Sequence, residues 1–310
     1  MCCLFGLMDC RGSLKGREKN RMLSVLSAAC EARGIDATGI AYNAGGKLRI
    51  YKRPQPAHLL HFHIPGEARA IMGHTRMTTQ GSEQKNCNNH PFPGRTREGS
   101  FALAHNGVLH NDKTLRRSLG LPGTSIETDS YIAVQLLERE GAIHFDTLRY
   151  VAETIEGSFC LSVLDSQDNL YLIKGDNPLC LYHFPGKGLY LYASTEPILL
   201  QALAGMGLSS RRGRKVPLSC GEILRISPAG EIARECFDDS HLFSGHWRSP
   251  WVTRPYDVPQ APPPVGRDLY LEELKSVARS FGYTPESIDR LLAMGFYPEE
   301  VEEFLYESEI

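Results

Sequence analysis

The spacing of apolar residues along this chain changes several times, and each change predicts an element. Residues 3–7, Cys-Leu-Phe-Gly-Leu, form an unbroken apolar run of the length of a buried strand. Met22, Val25, Leu26 and Ala29 then recur at helical spacing, which predicts a helix over 17–33 with Gly34 as its stop. Thr38–Tyr42 and Leu48–Lys52 flank Asn43-Ala44-Gly45-Gly46-Lys47 and read as a β-hairpin with the glycines in the turn. Ala68–Gly73 predicts another strand, running straight into His74-Thr75-Arg76. Residues 77–98 are polar and read as one long loop. Loops of that length in compact domains are mostly functional or disordered.

Further on, Phe101–Ala104 predicts a strand ending at His105-Asn106-Gly107, and helices follow at about 128–140 and 145–156. Four runs rich in Leu, Tyr and Val (159–164, 170–174, 179–184 and 189–193), separated by turn residues, predict an antiparallel meander. A helix at 196–204 and strands near Glu222–Ile226 and Glu231–Cys236 close the large domain. Strands at both ends with helices between predict a layered α+β fold. Near residue 240 the pattern breaks. Prolines crowd residues 249–265, which reads as an extended linker, and short amphipathic helix patterns follow at Leu269–Ser280, Pro285–Met294 and Pro298–Tyr306. The expected organisation is a main domain over 2–238, a Pro-rich linker over 239–267 and a small helical segment over 268–310.

Composition narrows the function classes. With 42% hydrophobic and 23% charged residues among 310, the chain is ordinary globular material. Lys and Arg number 34 against 36 Asp and Glu, so the net charge of -2 makes no electrostatic case for nucleic acid or an anionic membrane. No apolar stretch reaches the roughly 18–20 residues of a membrane span. The start, MCCLFGLMDCRG, lacks the basic lead of a secretory signal, and a cytoplasmic protein is expected. Nine cysteines contain no CxxC pair, which speaks against a zinc knuckle or a dithiol redox motif. His58, His61 and His63 have metal-like spacing but no Asp or Cys beside them, so neither a metal nor a cofactor is expected.

Four separated segments carry chemistry: Cys2, GHTRMTTQG at 73–81, HNG at 105–107 and ETD at 127–129. Each has a plain explanation alone. A second-position cysteine is usually one more thiol, Asn-Gly is the commonest hairpin-turn dipeptide, and an Asp in the first turn of a helix suits the helix dipole. Together they supply an amide-cleaving site. If Met1 is removed, Cys2 combines a thiol with its own α-amine, whose reference pKa of about 7.7–8.0 suits a base near neutrality. The Asn106 amide and the Gly107 N–H offer two donors to an oxyanion. Arg76 can fork onto an α-carboxylate, and Asp129 can pair with an α-ammonium.

The order and spacing of these pieces resemble the glutaminase domain of class II glutamine amidotransferases, as in glucosamine-6-phosphate synthase and amidophosphoribosyltransferase. The resemblance covers roughly residues 2–238 and rests on MCCLFGL, GIDATGIAY (34–42), GHTRMTTQG, NNHPF (88–92), FALAHNGVLHN (101–111) and ETDS (127–130). It implies a four-layer αββα N-terminal-nucleophile hydrolase sandwich, here with a small C-terminal helical tail. It also implies that Cys2 attacks the glutamine side-chain amide, that Asn106 and Gly107 form the oxyanion hole, and that Arg76 and Asp129 hold the substrate head group. On the same resemblance, Thr79 and the backbone around Gln80 and Gly81 would complete the pocket wall. Met77 and Gln80 depart from the sugar-phosphate synthase pattern, which has tryptophan and histidine there.

The leading expectation is therefore glutamine hydrolysis to glutamate and ammonia through a thioester, with the ammonia acceptor on a separate synthase subunit. A homo-oligomer is compatible with this. The rival enzyme is a free-standing hydrolase of another γ-glutamyl amide. A reading from another class is an inactive scaffold that recruits a partner through its helical tail.

Overall fold

A computed structural model describes residues 2–243, 275, 283–293 and 301. The chain divides into two units, Met1–Arg248 and Ser249–Ile310. In the first, strand β1 (Cys3–Asp9) leads into helix α1 (Gly16–Ala29), which tightens into a 3-10 turn over Cys30–Arg33 before the Gly34 stop. The predicted hairpin is β2 (Ala37–Ala44) and β3 (Lys47–Arg53), and β4 spans Ala70–Arg76. The stretch read as one loop contains a further strand, β5 (Phe92–Arg95). Pro93 hides it from a strand pattern, and the sheet accommodates that proline because β5 lies at an edge.

β6 runs from Ser100 to Leu109, well past the predicted end, so Asn106-Gly107 lies inside a strand and is not a hairpin turn. Pairing with β7 (Gly157–Leu164) carries it on, down to Leu109 opposite Gly157. Between them lie α2 (Asp112–Ser118), which the pattern did not predict, α3 (Tyr131–Glu140) and α4 (Phe145–Thr154). Next come β8 (Leu170–Lys174), β9 (Cys180–Phe184), β10 (Leu189–Ala193) and α5 (Glu196–Met206). Strands β11 (Arg214–Val216), β12 (Glu222–Ile226) and β13 (Ile232–Cys236) complete the unit.

The strands form two antiparallel sheets, ordered β11-β9-β10-β1-β4-β2-β3 and β13-β12-β8-β7-β6-β5. The four runs read as one meander therefore divide. β7 and β8 pair in the six-stranded sheet and β9 and β10 in the seven-stranded one. A period of two shows that a run is a strand but not which sheet receives it.

Alternation along each strand builds the layers. In β1, Cys3, Phe5 and Leu7 pack with Leu23 and Leu26 of α1 and Leu199 and Leu203 of α5. Leu4 and Met8 face the other way, against Ala102, Ala104, Leu170 and Leu172 of the second sheet. That sheet's outer residues, among them Phe101, Leu103, Phe159 and Leu161, pack under Ile132 and Leu136 of α3 and Leu148 and Val151 of α4. The result is an αββα sandwich with three apolar cores. Each fully buried Leu or Phe contributes about 1.5–3 kcal/mol.

In the second unit, α6 (Pro285–Ala293) falls on the predicted Pro285–Met294 pattern, and Ile288 packs with Val301, Leu291 and Leu292. The residues read as linker beyond 243, and the patterns Leu269–Ser280 and Pro298–Tyr306, lie outside the described residues, Lys275 and Val301 apart.

Candidate active site

The register of the seven-stranded sheet brings the first pieces together. β1 lies at its centre, and Cys3 pairs with Thr75 of β4. One residue further along each strand stand Cys2 and Arg76. The Met77 amide donates to Cys2 Sγ at 3.4 Å, and the thiol donates to the Met77 carbonyl at 3.5 Å. Gly34 makes this approach feasible. A Cβ there would lie 2.5 Å from the Arg76 carbonyl carbon and 2.6 Å from the Met77 nitrogen. Arg33 Nε donates to the Cys2 carbonyl at 2.9 Å and ties down the backbone just before β1. Burial raises the Cys2 thiol above its ordinary pKa, while the Met77 hydrogen bond and the Arg76 charge oppose that rise.

Asn106 and Gly107 arrive from the other sheet. Asn106 pairs with Cys160, on the face that looks between the sheets, and is buried. Its Nδ2 donates to Ser194 Oγ at 3.5 Å, and the same oxygen accepts from the Leu4 amide at 2.8 Å. Gly107 has a φ of +142°, and a Cβ there would lie 1.9 Å from the Ser158 carbonyl oxygen. Only glycine fits this backbone.

Arg76 is 3% exposed, and its guanidinium donates to Asn89 Oδ1 at 2.7 Å and to the carbonyls of Gln80 and Gly81 at 2.6 and 2.9 Å. These three acceptors are neutral. Burial lowers its pKa, against the charges of Cys2, Glu83, Asp36 and Asp129. Asp129 lies in the turn just before α3 and not in its first turn. Its Oδ2 accepts from the Leu109 amide at 2.6 Å and its Oδ1 from Ser130 Oγ at 3.4 Å. Those donors are neutral as well. The site end thus holds a buried cation and a buried anion whose hydrogen bonds all go to uncharged groups.

The predicted wall residues divide. Gln80 and Gly81 contribute backbone carbonyls to Arg76, and Gly81 sits at a φ of +74° against Asn88 and Glu127. Thr79 is exposed and takes no part in that hydrogen-bond set. Three residues at this end were not singled out from the sequence. Asn89 lies inside the NNHPF motif, and Arg33 abuts Gly34-Ile35-Asp36, so both had a signal in view. Ser194 had none, being one serine at a strand end.

Three histidines back the site. The His74 and His90 rings lie 4.2 Å apart and tilted by 37°, His74 Nε2 bonds the His105 carbonyl at 3.0 Å, and His105 Nδ1 meets Ser130 Oγ at 2.7 Å. Burial lowers the pKa of all three, His74 to about 3, so they are neutral wall groups at pH 7. Among the described residues no group of three or more His, Cys, Asp or Glu is arranged to hold a metal ion. His58 lies instead on Glu31, with Nδ1 3.0 Å from a carboxylate oxygen. A groove of about 880 Å³ lined by Leu48, Ile50, Pro93 and Arg95, at the β3 and β5 edges, contains none of the site residues. Among the described residues no helix is long and apolar enough to cross a membrane.

Known proteins resemble this chain in sequence and in fold. Residues 74–201 match the model of the glutamine amidotransferase domain family. The glutamine–fructose-6-phosphate aminotransferase (isomerizing) of Geobacillus kaustophilus is 31% identical over 179 residues, 55% of this chain and 29% of that protein. Its counterpart from Sulfurisphaera tokodaii is 31% identical over 209 residues, 64% of this chain and 34% of that one. The chain thus spans about a third of the length of these relatives. In fold it is similar to the glutamine phosphoribosylpyrophosphate amidotransferase of B. subtilis, with a TM-score of 0.58 at 23% identity over 76% of this chain and 49% of that one. With the sandwich, the motif order and the family match in agreement, this chain carries a class II glutamine amidotransferase domain of the N-terminal-nucleophile kind.

Proposed function

We propose that this chain hydrolyses the side-chain amide of glutamine, with Cys2 as nucleophile after removal of Met1, and that the ammonia goes to an acceptor on a separate synthase subunit. The observation that carries this reading is the split pair of buried charges beside Cys2. Arg76 and Asp129 each hydrogen-bond only to neutral groups. A buried charge that no opposite charge hydrogen-bonds is costly, and the α-carboxylate and α-ammonium of an amino acid would engage both at once. The head group would then orient its side chain for Cys2.

In this scheme Cys2 Sγ attacks the amide carbon while its proton passes to the α-amine of the same residue. The oxyanion is held by the remaining Asn106 Nδ2 hydrogen and the Gly107 N–H. The amine returns the proton to the leaving nitrogen, the C–N bond breaks and ammonia departs, leaving a glutamyl thioester. Water, deprotonated by the same amine, then releases glutamate and restores the thiol. The base is needed because burial keeps the Cys2 thiol protonated near neutral pH.

The test is intact mass of the purified chain, followed by glutamate release from glutamine by wild type and Cys2→Ala. Loss of Met1 is expected, with release falling at least about a thousandfold in the variant. Retained Met1, or release indifferent to Cys2, would overturn the mechanism.

A further inference from the structure

We infer that Ser194 is a positioning residue for the Asn106 amide, an inference that rests on the glutaminase reading above. Ser194 follows β10 and is completely buried. Its Oγ accepts the Leu4 amide at 2.8 Å and the Asn106 Nδ2 at 3.5 Å. One oxygen therefore touches β1, two residues from Cys2, and β6 of the other sheet. Asn106 is not held in this way by its own ladder, which runs through backbone atoms and leaves the side chain free to turn. The χ2 well of an asparagine is broad.

A carboxamide nitrogen carries two hydrogens. Ser194 takes one, and that sets the plane of the amide and leaves the second for an oxyanion on the Cys2 side. The Leu4 contact is the shorter, so the serine is fixed first to the strand that carries the nucleophile. Asn106 is then indexed to that strand. Nucleophile and oxyanion donor come from different sheets, and small sliding of one sheet over the other would separate them. A misplacement near 1 Å can cost about a hundredfold in rate, so a contact that spans the two sheets has a catalytic consequence that an ordinary buried hydrogen bond lacks.

The experiment uses the full chain and glutamate release. Ser194→Ala should lower kcat about tenfold to a hundredfold with KM within about twofold, less than the ~10²–10³ of losing an oxyanion donor outright. Ser194→Thr, which keeps the hydroxyl, should recover most of that loss. In an Asn106→Ala background the serine substitution should cause no further loss, because the group it positions is gone. Alkylation of Cys2 by iodoacetamide forms no oxyanion and should proceed at the wild-type rate in Ser194→Ala. Slowed alkylation would mean that the serine merely supports β1, and would overturn the inference. So would an unchanged kcat, or a full additional loss in the Asn106→Ala background. A wild type with no Cys2-dependent release fails the glutaminase reading itself, and this inference with it.

Discussion

At the Asp9 end of β1, the carboxylate meets Lys19 Nζ at 3.3 Å with both side chains fully buried. Lys19 also donates to the Gly66 and Ala68 carbonyls at 2.6 Å each, and Asp9 accepts the Ser13 and Leu14 amides at 3.1 and 2.9 Å. At the Cys2 end, roughly 23 Å away at 3.3 Å per residue, the buried charges are Arg76 and Asp129, and neither hydrogen-bonds the other or any charged group. The first arrangement is closed on itself and ties α1 to the sheet. The second is open, with Arg76 and Asp129 each hydrogen-bonded to neutral partners and not directly to one another. Burial alone does not separate structural from functional charge, since both ends are buried. What separates them is whether each charge is paired directly with its opposite inside the protein.

Removing one partner from the closed end should have the largest effect on stability. Lys19→Met leaves Asp9 buried and unpaired and should cost about 3–5 kcal/mol in denaturant unfolding, while the folded fraction keeps the wild-type rate of Cys2 alkylation. A loss below ~1 kcal/mol would erase the distinction between the ends. At the open end the effect should be kinetic. Asn106→Ala should lower kcat for glutamate release by about 10²–10³, or roughly 2.7–4 kcal/mol of transition-state stabilisation, with a much smaller change in unfolding free energy. Equal losses in both measurements would make Asn106 a packing residue.

The smallest effect is a slope with pH. His74, His90 and His105 lie buried behind the Cys2 end with pKa values lowered by burial, His74 to about 3. Unfolded histidines take up protons below about pH 6.5, so in that range the unfolded state binds more protons and stability falls with pH. The full stabilisation is present above pH 6.5 and is lost as pH drops toward the folded values. Three such groups give a slope of at most about 4 kcal/mol per pH unit below the unfolded pKa and much less near it. Unfolding free energy measured at pH 7.5, 6.5 and 5.5 should therefore decline, with most of the change in the last step. A flat profile would mean that these histidines are hydrated and able to charge in the folded state.

Much of this was legible in the residues. The apolar runs marked most of the strands, and the helical spacing at Met22, Val25, Leu26 and Ala29 marked α1. The motif segments picked out Arg76, Asn106 and Asp129, all of which the fold buries. The failures have common causes. β5 was concealed by Pro93, which only an edge position accommodates, and Asn106-Gly107 has the composition of a turn although β7 pairs straight through it. α2 and β11 are only seven and three residues long, too short for a period to declare itself.

By itself the sequence determined where the chain is apolar at a period of two or 3.6, and in which order the reactive residue types occur, because both are local properties of a few neighbouring side chains. Only the tertiary structure decided that Cys3 pairs with Thr75, so that Cys2 and Arg76 lie at the same end of neighbouring strands, and that Asn106 comes to Ser194 from the opposite sheet. It also decided that the runs at 159–174 and 180–193 belong to different sheets. Register and sheet membership depend on which distant face completes each core, and that choice is made only when the layers pack.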